Sequence, residues 1–361
     1  MDPMAEVFNV LVVGCGGMGA SHARAYHHHE GFTVVGLVAP SVRRRAPLAA
    51  ALGGVAEYDS YEQALAETKP DAVSINTYPD THYDYVKRAL EAGCHVFCEK
   101  PLAETVTEAE ELVALARSKG LTLSVGYILR VHPAWQQFIE IAHGLGKPLV
   151  MRMNLNQQSD GAMWDLHRNL MASMSPIVDC GVHYVDVMCQ MTQARPTRVV
   201  AMGARLTDEL APGMYNYGNL QVHFDDGSIG WYEAGWGPML SETAFFVKDV
   251  VGPKGSASIV HHADDAEAGA GSADLESHTK TNTIRLHHAA LVDNQFAQPD
   301  ELISTADEPD HQGLCDLEAD LFLQGIRGET DLSTHLDDAV TSLRIVLAAD
   351  ESVRTGRVVE L

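Results

Sequence analysis

Three short stretches of this chain hold side chains that can act together. Gly14-Cys15-Gly16-Gly17-Met18-Gly19 follows an apolar run and has G-x-G-x-x-G spacing. In such a loop the first glycine makes a tight turn, the second lets the backbone approach a pyrophosphate, and the third lets helix and strand pack closely. The N-terminus of the following helix then faces negative charge. Cys98-Glu99-Lys100-Pro101 ends another apolar run. A lysine there can polarise a hydroxyl or carbonyl, or relay a proton if its pKa is lowered. Pro101 restricts the backbone at Lys100. In Asp179-Cys180-Gly181-Val182-His183, a continuous helix would put Asp179 and His183 on one face. A histidine exchanges a proton with an alcohol near neutral pH, and a carboxylate one turn away orients it.

Metal binding is the rival for these residues. Asp179 and His183, with Asp165 and His167 upstream, offer zinc-type donors, but no cysteine or second histidine has ligand spacing on the same helix. No metal is assigned. His27-His28-His29 fan out around a helix axis and read as a solvated end. The pairs His261-His262 and His287-His288 read the same way.

The ribose partner is unusual. An Asp or Glu about 20 residues beyond the glycine loop normally takes the 2′-hydroxyl of NAD. Here Val35 to Ser41, including Ala39, contains no acid, and Arg43, Arg44 and Arg45 follow. Without the carboxylate a 2′-phosphate is not repelled, and Ser41, Arg43 and Arg44 can bind it, so NADP is favoured over NAD. The bland alternative is a solvated arginine face with NAD still bound.

The elements that must position these groups alternate. Val7–Val13, Val34–Val38, Ala72–Ile75, His95–Cys98 and Leu121–Val125 read as buried strands with helices between them. Ser60 with Gln63 and Thr107 with Glu110 have capping-box spacing, and Gly93 and Gly120 sit where helix C-caps are expected. This predicts an α/β fold: an N-terminal Rossmann-type doubly wound parallel sheet over residues 1–126. Residues 127–361 read as a C-terminal α+β domain with an open, mostly antiparallel sheet. There, helices are predicted at Ala134–His143, Ile177–Met191, Leu317–Ile326 and Leu336–Val353. Hairpin-rich strands are predicted over Arg198–Val260, with turns at Asp226-Gly227 and Pro253-Lys254-Gly255. Asp264–Ser277 reads as a mobile loop insertion.

Composition sets outer limits. The 361 residues are 46% hydrophobic and 20% charged, with 25 Lys+Arg against 49 Asp+Glu, a net charge of −24. So negative a chain is a poor nucleic-acid or anionic-membrane binder. The N-terminal apolar run ends at Gly14 and has neither the flanks of a signal peptide nor the length of a membrane span. Six cysteines without a C-x-x-C pair fit reduced thiols and a cytoplasmic location.

On these residues the chain resembles the Gfo/Idh/MocA oxidoreductases. Gly14 to Gly19 is similar to the family's nucleotide loop, Ile75-Asn76-Thr77-Tyr78-Pro79-Asp80-Thr81-His82 to its fourth-strand motif, and Ala89 to Pro101 to its A-L-x-A-G-K-H-V-x-x-E-K-P run. Asp179 to His183 with Asp186 is similar to its D-x-G-x-H-x-x-D helix, and Ser352 to Arg357 to its closing stretch. Tyr78 stands for the usual proline, Ile128-Leu129 for an Asn-Arg pair, and Ser175-Pro176 for two glycines. The resemblance implies an enzyme moving a hydride between a nicotinamide and a sugar, cyclitol or polyol carbinol. It implies that Lys100, Asp179 and His183 are catalytic, with His183 handling the proton. It also implies that Gly14, Gly16, Gly17, Met18, Gly19, Asn76, Thr77, Tyr78, His82 and Glu99 lie at the cofactor, that Lys100–Pro101 is cis, and that the C-terminal sheet makes a homodimer or homotetramer. Substrate contacts are expected from Tyr127, Arg130, Trp164, His167, His183 and Tyr217, with His132, Tyr215 and Asn216 nearby, since aromatics with polar tips suit carbohydrate. The mechanism requires Lys100 and His183 to meet over one substrate. Two other activities fit the same residues, redox-neutral glycoside cleavage and non-enzymatic dinucleotide sensing, and retention of the catalytic trio argues against the second.

Overall fold

The computed structural model describes residues 6–241, 247–260 and 279–361. The predicted loop Asp264–Ser277 and the pair His261-His262 lie outside the described residues. The chain forms two compact units, one built from residues up to Val131 and from Gln312 to Val340, the other from His132–His311 and Thr341–Leu361.

The first unit starts with β1 (Phe8–Val13), α1 (Gly17–His28), β2 (Phe32–Val38), α2 (Val42–Ala51), β3 (Glu57–Tyr58) and α3 (Tyr61–Thr68). It continues with β4 (Ala72–Ile75), α4 (His82–Glu91), β5 (His95–Glu99), α5 (Val106–Lys119) and β6 (Leu123–Gly126). The strands are all parallel in the order β3-β2-β1-β4-β5-β6. That is the dinucleotide-binding order, with its reversal between β1 and β4, and ligands of such sheets lie outside the strand C-termini at that point. Val10 to Val13, Val73 and Val96 are fully buried, as strands covered on both faces require. The capping box of α5 is Thr105 with Glu108, two residues before the predicted Thr107–Glu110 pair. Ser60 accepts from Gln63 as expected.

In the second unit come α6 (Pro133–Gly144), β7 (Val150–Gln158), α7 (Gly161–Leu170), α8 (Pro176–Asp179), α9 (Gly181–Thr192), β8 (Pro196–Ala204), β9 (Tyr217–Phe224) and β10 (Ile229–Gly237). They are followed by β11 (Lys248–Gly252), β12 (Gly255–Ile259), β13 (Thr283–His288), β14 (Leu291–Val292), β15 (Gln295–Phe296) and β16 (Glu301–Ser304). After α10 (His311–Ile326) and α11 (Ser333–Thr355), β17 (Val359–Glu360) ends the chain. Nine strands form one sheet in the order β16-β13-β12-β11-β7-β10-β9-β8-β17. Every pairing is antiparallel except β7 with β10. Period-two alternation sends Tyr232, Ala234 and Trp236 to one face and Trp231, Glu233 and Gly235 to the other. Helix α9 packs on the first face: a Cβ at Gly181 would lie 2.8 Å from Tyr232, and the rings of Tyr184 and Tyr232 stack at 5.2 Å.

The division differs from a single boundary at 126/127, because α10 and the start of α11 belong with the first unit. The reason is apolar and aromatic. Phe322 stacks on Phe32 at 6.0 Å and meets Phe97 edge-on at 6.2 Å. Arg130 pairs with Asp338, and His335 Nε2 accepts the amide of Val125 at 2.9 Å. The predicted single helix over Ile177–Met191 is instead two, broken at Cys180. Ser175 caps the first by accepting from Val178, and Pro176 takes its first position. Among the described residues no helix is long and apolar enough to cross a membrane.

Several buried histidines are held neutral. Burial, aided by Arg130, pushes His335 down to about 3, and burial pushes His167 down to about 4. Burial also lowers His82 and His132. A folded value below the unfolded one means that the unfolded chain binds more protons, so stability falls as pH falls. For His335 the loss runs from about 6.5 down to about 3. Urea midpoints should therefore drop steadily below pH about 6.5. His335→Gln, which keeps an acceptor for Val125, should lessen that slope by up to about 1.4 kcal/mol per pH unit.

Candidate active site

At the nucleotide-facing end of the first unit, two loops touch. Gly14 has φ +94°, and a Cβ there would lie 2.4 Å from the carbonyl oxygen of Asn76. A Cβ on Gly19 would lie 1.9 Å from the Gly14 oxygen. Those two glycines serve the fold of the loop itself. Gly16 and Gly17 differ: a Cβ on Gly16 finds only Arg44 at 3.6 Å, and one on Gly17 finds nothing within 4 Å. Helix α1 starts there with no side-chain cap and no acid in its first turn. Open space over uncapped amides fits a dinucleotide pyrophosphate.

The residues after β2 and β4 surround this loop. Ala39 is buried, and its carbonyl accepts from Arg45, which also pairs with Glu57 at 3.3 Å. Ser41, Arg43 and Arg44 are exposed, and the Ser41 hydroxyl does not cap α2. Asn76 folds back on Ser74, and Thr77 shares a 2.6 Å hydrogen bond with Thr81. Tyr78 is 47% exposed. Met18 is half-buried.

Lys100 stands at the end of β5, and two buried histidines brace the strand end around it. Glu99 Oε1 lies 2.8 Å from Nε2 of His22, and Glu99 Oε2 accepts the Lys100 amide at 3.2 Å. On the other side His82 Nδ1 lies 2.7 Å from the Pro101 carbonyl oxygen, and its Nε2 lies 3.1 Å from that of Thr77. Burial holds His82 neutral despite these two acceptors, so it has one N–H to give. The His82 ring thus ties the loop after β4 to the turn after β5. The Lys100–Pro101 bond is cis. Gly126 leaves room for the Glu99 carboxylate, since a Cβ there would approach it to 3.2 Å.

In the second unit, Asp179 ends α8 and His183 lies in the first turn of α9. The break at Cys180 means that the two do not share one continuous helical face, contrary to the expectation from spacing. The His183 amide donates to Cys180 in a tighter turn at 3.2 Å. Gly181 permits the break to press on Tyr232. Around Asp179 gather Cys180, whose thiol points to Asp179 Oδ2 at 3.4 Å and to Gln157 at 3.8 Å, and His167. The His167 ring stacks flat on Trp236 at 4.4 Å and bonds Ser159 at 3.0 Å. Asp179 partly offsets the burial that lowers His167.

The remaining expected contacts scatter. Trp164 is buried, and its Nε1 donates to Glu209 at 3.3 Å. Tyr217 sits by Glu233 on the sheet face opposite Trp236, where Glu233 also takes a 2.6 Å bond from Asn156. His132 is fully buried, caps α6, and faces Glu308 at 3.6 Å. Tyr215 bonds Asp350, and Asn216 donates to the Trp236 carbonyl at 2.8 Å. In the first unit, Tyr127 is buried beneath Arg130, whose guanidinium lies 6.0 Å from its ring and 2.7 Å from Asp338. Residues the spacing did not flag are His22 and Gln157. His22 was visible as a lone polar side chain in the stripe Gly19, His22, Ala23, Tyr26.

The two kinds of glycine separate experimentally. Gly19→Ala should lower the melting temperature by several degrees, because its Cβ meets backbone. Gly16→Ala should leave it within about two degrees yet weaken nicotinamide dinucleotide binding about tenfold or more in a fluorescence titration. Equal binding by wild type and Gly16→Ala would show that the loop holds no pyrophosphate.

Residues 8–127 match the family described as "Oxidoreductase family, NAD-binding Rossmann fold", and residues 139–258 match the "GFO/IDH/MocA C-terminal domain". The chain is 27% identical to scyllo-inositol 2-dehydrogenase (NAD(+)) of Bacillus subtilis, over 99% of this chain and 97% of that one. It is 32% identical to UDP-N-acetylglucosamine 3-dehydrogenase of Acidithiobacillus ferrooxidans, over 55% of this chain and 59% of that one. In fold it is similar to GenD2 from gentamicin A biosynthesis, solved in complex with NAD, with a TM-score of 0.76 at 20% identity over 100% of this chain and 98% of that one. With both halves matched and the glycine loop, strand order and E-K-P turn in place, the chain belongs to the Gfo/Idh/MocA family and is a nicotinamide-dependent oxidoreductase of CH–OH groups.

Proposed function

We propose that this enzyme interconverts a secondary hydroxyl and a ketone on a sugar, cyclitol or related polyol, with Lys100, Asp179 and His183 as its catalytic groups. A bound nicotinamide supplies the hydride acceptor or donor. The protein supplies the proton path: the His183 imidazole takes the hydroxyl proton in oxidation and returns it in reduction. The Lys100 ammonium polarises the same oxygen, and Asp179 orients His183. The reading rests chiefly on Lys100 standing at the carboxyl end of β5, where a doubly wound sheet receives its ligand. The relatives named above are dehydrogenases of a cyclitol and of a nucleotide-linked sugar, which favours a ring carbinol as the reacting group.

NADP is the favoured cofactor. Arg45 is already drawn onto the Ala39 and Pro40 carbonyls and Glu57, so it serves the loop rather than a ligand. Exposed Arg43 and Arg44 and the uncapping Ser41 hydroxyl remain for a 2′-phosphate. The enzyme is cytoplasmic in this reading, and it assembles as a homodimer or homotetramer through the sheet face that carries exposed Met202 and Val251.

His183→Ala should cut turnover about 10²–10⁴-fold with cofactor binding kept. Unchanged turnover in that variant removes the role assigned to the imidazole. Titration of both dinucleotides should give the tighter constant for NADP, and Arg44→Ala should erase the difference; tighter NAD binding by wild type refutes the preference. Light scattering should return an even number of subunits, and a monomer would refute the assembly.

A further inference from the structure

Beneath the Lys100 turn lies a buried group that the proposed reaction does not use. His22 is fully buried on α1, Glu318 is 3% exposed on α10, and Glu99 is 7% exposed on β5. His22 Nε2 lies 2.8 Å from Glu99 and 4.0 Å from Glu318. The His22 ring tilts against Phe97 at 4.6 Å, which fixes its plane. Glu318 Oε2 and His22 Nδ1 have no hydrogen-bond partner among the described residues. Two buried carboxylates therefore converge on one imidazole.

Both cannot be ionised cheaply. Taking a carboxylate out of water costs several kcal/mol, and a second negative charge nearby raises that cost further. Burial first, and Glu99 second, push Glu318 well above the usual carboxylate range. Glu99 accepts the Lys100 amide at 3.2 Å and lies 2.8 Å from the His22 ring. The other titratable groups facing this cluster are Tyr26 and Cys315 by Glu318, and Cys98, His82 and Lys100 by Glu99. The donor atoms of His22, Cys315 and Glu318 lie within 4.8 Å of one another, a set zinc also accepts. The His22–Glu99 contact takes one of the two imidazole nitrogens, and metal content is therefore one arm of the test below.

We infer that His22 and Glu318 are positioning residues for Lys100: Glu318 holds a proton, His22 donates to Glu99, and the Glu99 carboxylate so fixed holds the Lys100 amide. The helix that opens on the glycine loop thereby also sets the strand end that carries the lysine. This rests on the catalytic reading of Lys100 given above.

The test compares Glu318→Ala with Glu318→Gln in the full chain, with His22→Ala as a third variant. Glu318→Ala and His22→Ala should lower kcat about 10–100-fold, with KM and cofactor Kd within about threefold, because a misplacement of about 1 Å costs up to about 10²-fold. The acid limb of the kcat/KM profile should shift in both. Glu318→Gln, neutral and of the same shape, should rescue most of kcat and the wild-type profile. Infrared spectra should show a protonated carboxylic acid in wild type that Glu318→Gln lacks. Superimposable pH profiles in all variants, a glutamine variant as impaired as the alanine one, or one equivalent of zinc in the purified protein would each overturn the inference. Should wild type turn over no polyol with either dinucleotide, the catalytic reading fails. The infrared band then still decides where the proton sits, and its absence overturns that assignment too.

Discussion

The close approach of two backbones at the switch between β1 and β4 is the constraint on which the first unit's chemistry depends. No side chain fits between Gly14 and the Asn76 carbonyl, or between Gly19 and the Gly14 carbonyl. Because those two contacts are backbone on backbone, α1 can sit at only one height over the sheet. That height leaves its first amides over open space at Gly17, and it delivers His22, one turn along, to the carboxylate of Glu99. A glycine requirement at the nucleotide loop thus reaches the strand end that carries Lys100 through one rigid helix.

Histidine shows how poorly residue type alone predicts role. With 18 in the chain, many invite a functional reading. Most of the buried ones are internal hydrogen-bonding pieces. His82 joins Thr77 to Pro101, His132 caps α6 and meets Glu308, and His335 accepts the Val125 amide. Each is neutral because burial penalises its charged form more than its acceptors favour it. A histidine with a carboxylate partner at the surface, such as His287 with Asp300, is an ordinary pair worth little.

The repeating units were legible because their signals are local. Strand Ala72–Ile75 and the turn at Asp226-Gly227 follow from apolar runs and turn residues, and so does most of the parallel sheet. Signals that depend on distant partners were not legible. Nothing near Val125 announces that its amide is taken by His335, 210 residues later. Nor does α10 announce that Phe322 belongs under Phe32 and Phe97. The helix over 177–191 reads as continuous because propensity sums over a window, whereas the break at Cys180 comes from Gly181 seated against Tyr232. Tyr217 looked like a pocket residue by composition, but a period of two puts it with Glu233 and Asn156 on the opposite side of the sheet from Trp236.

That break also changes what Asp179 can do. On one continuous helix an aspartate four positions before a histidine bonds along the helix face, and its charge acts on the imidazole mainly through the shared surface. At the end of a separate short helix, capped by Ser175 and started by Pro176, the carboxylate instead meets the Cys180 thiol and acts on the buried His167. Its partial compensation of the buried His167 follows from that placement. The sequence motif is therefore better understood as two helices, the first capped by Ser175, that present a carboxylate and an imidazole from different supports than as one amphipathic turn.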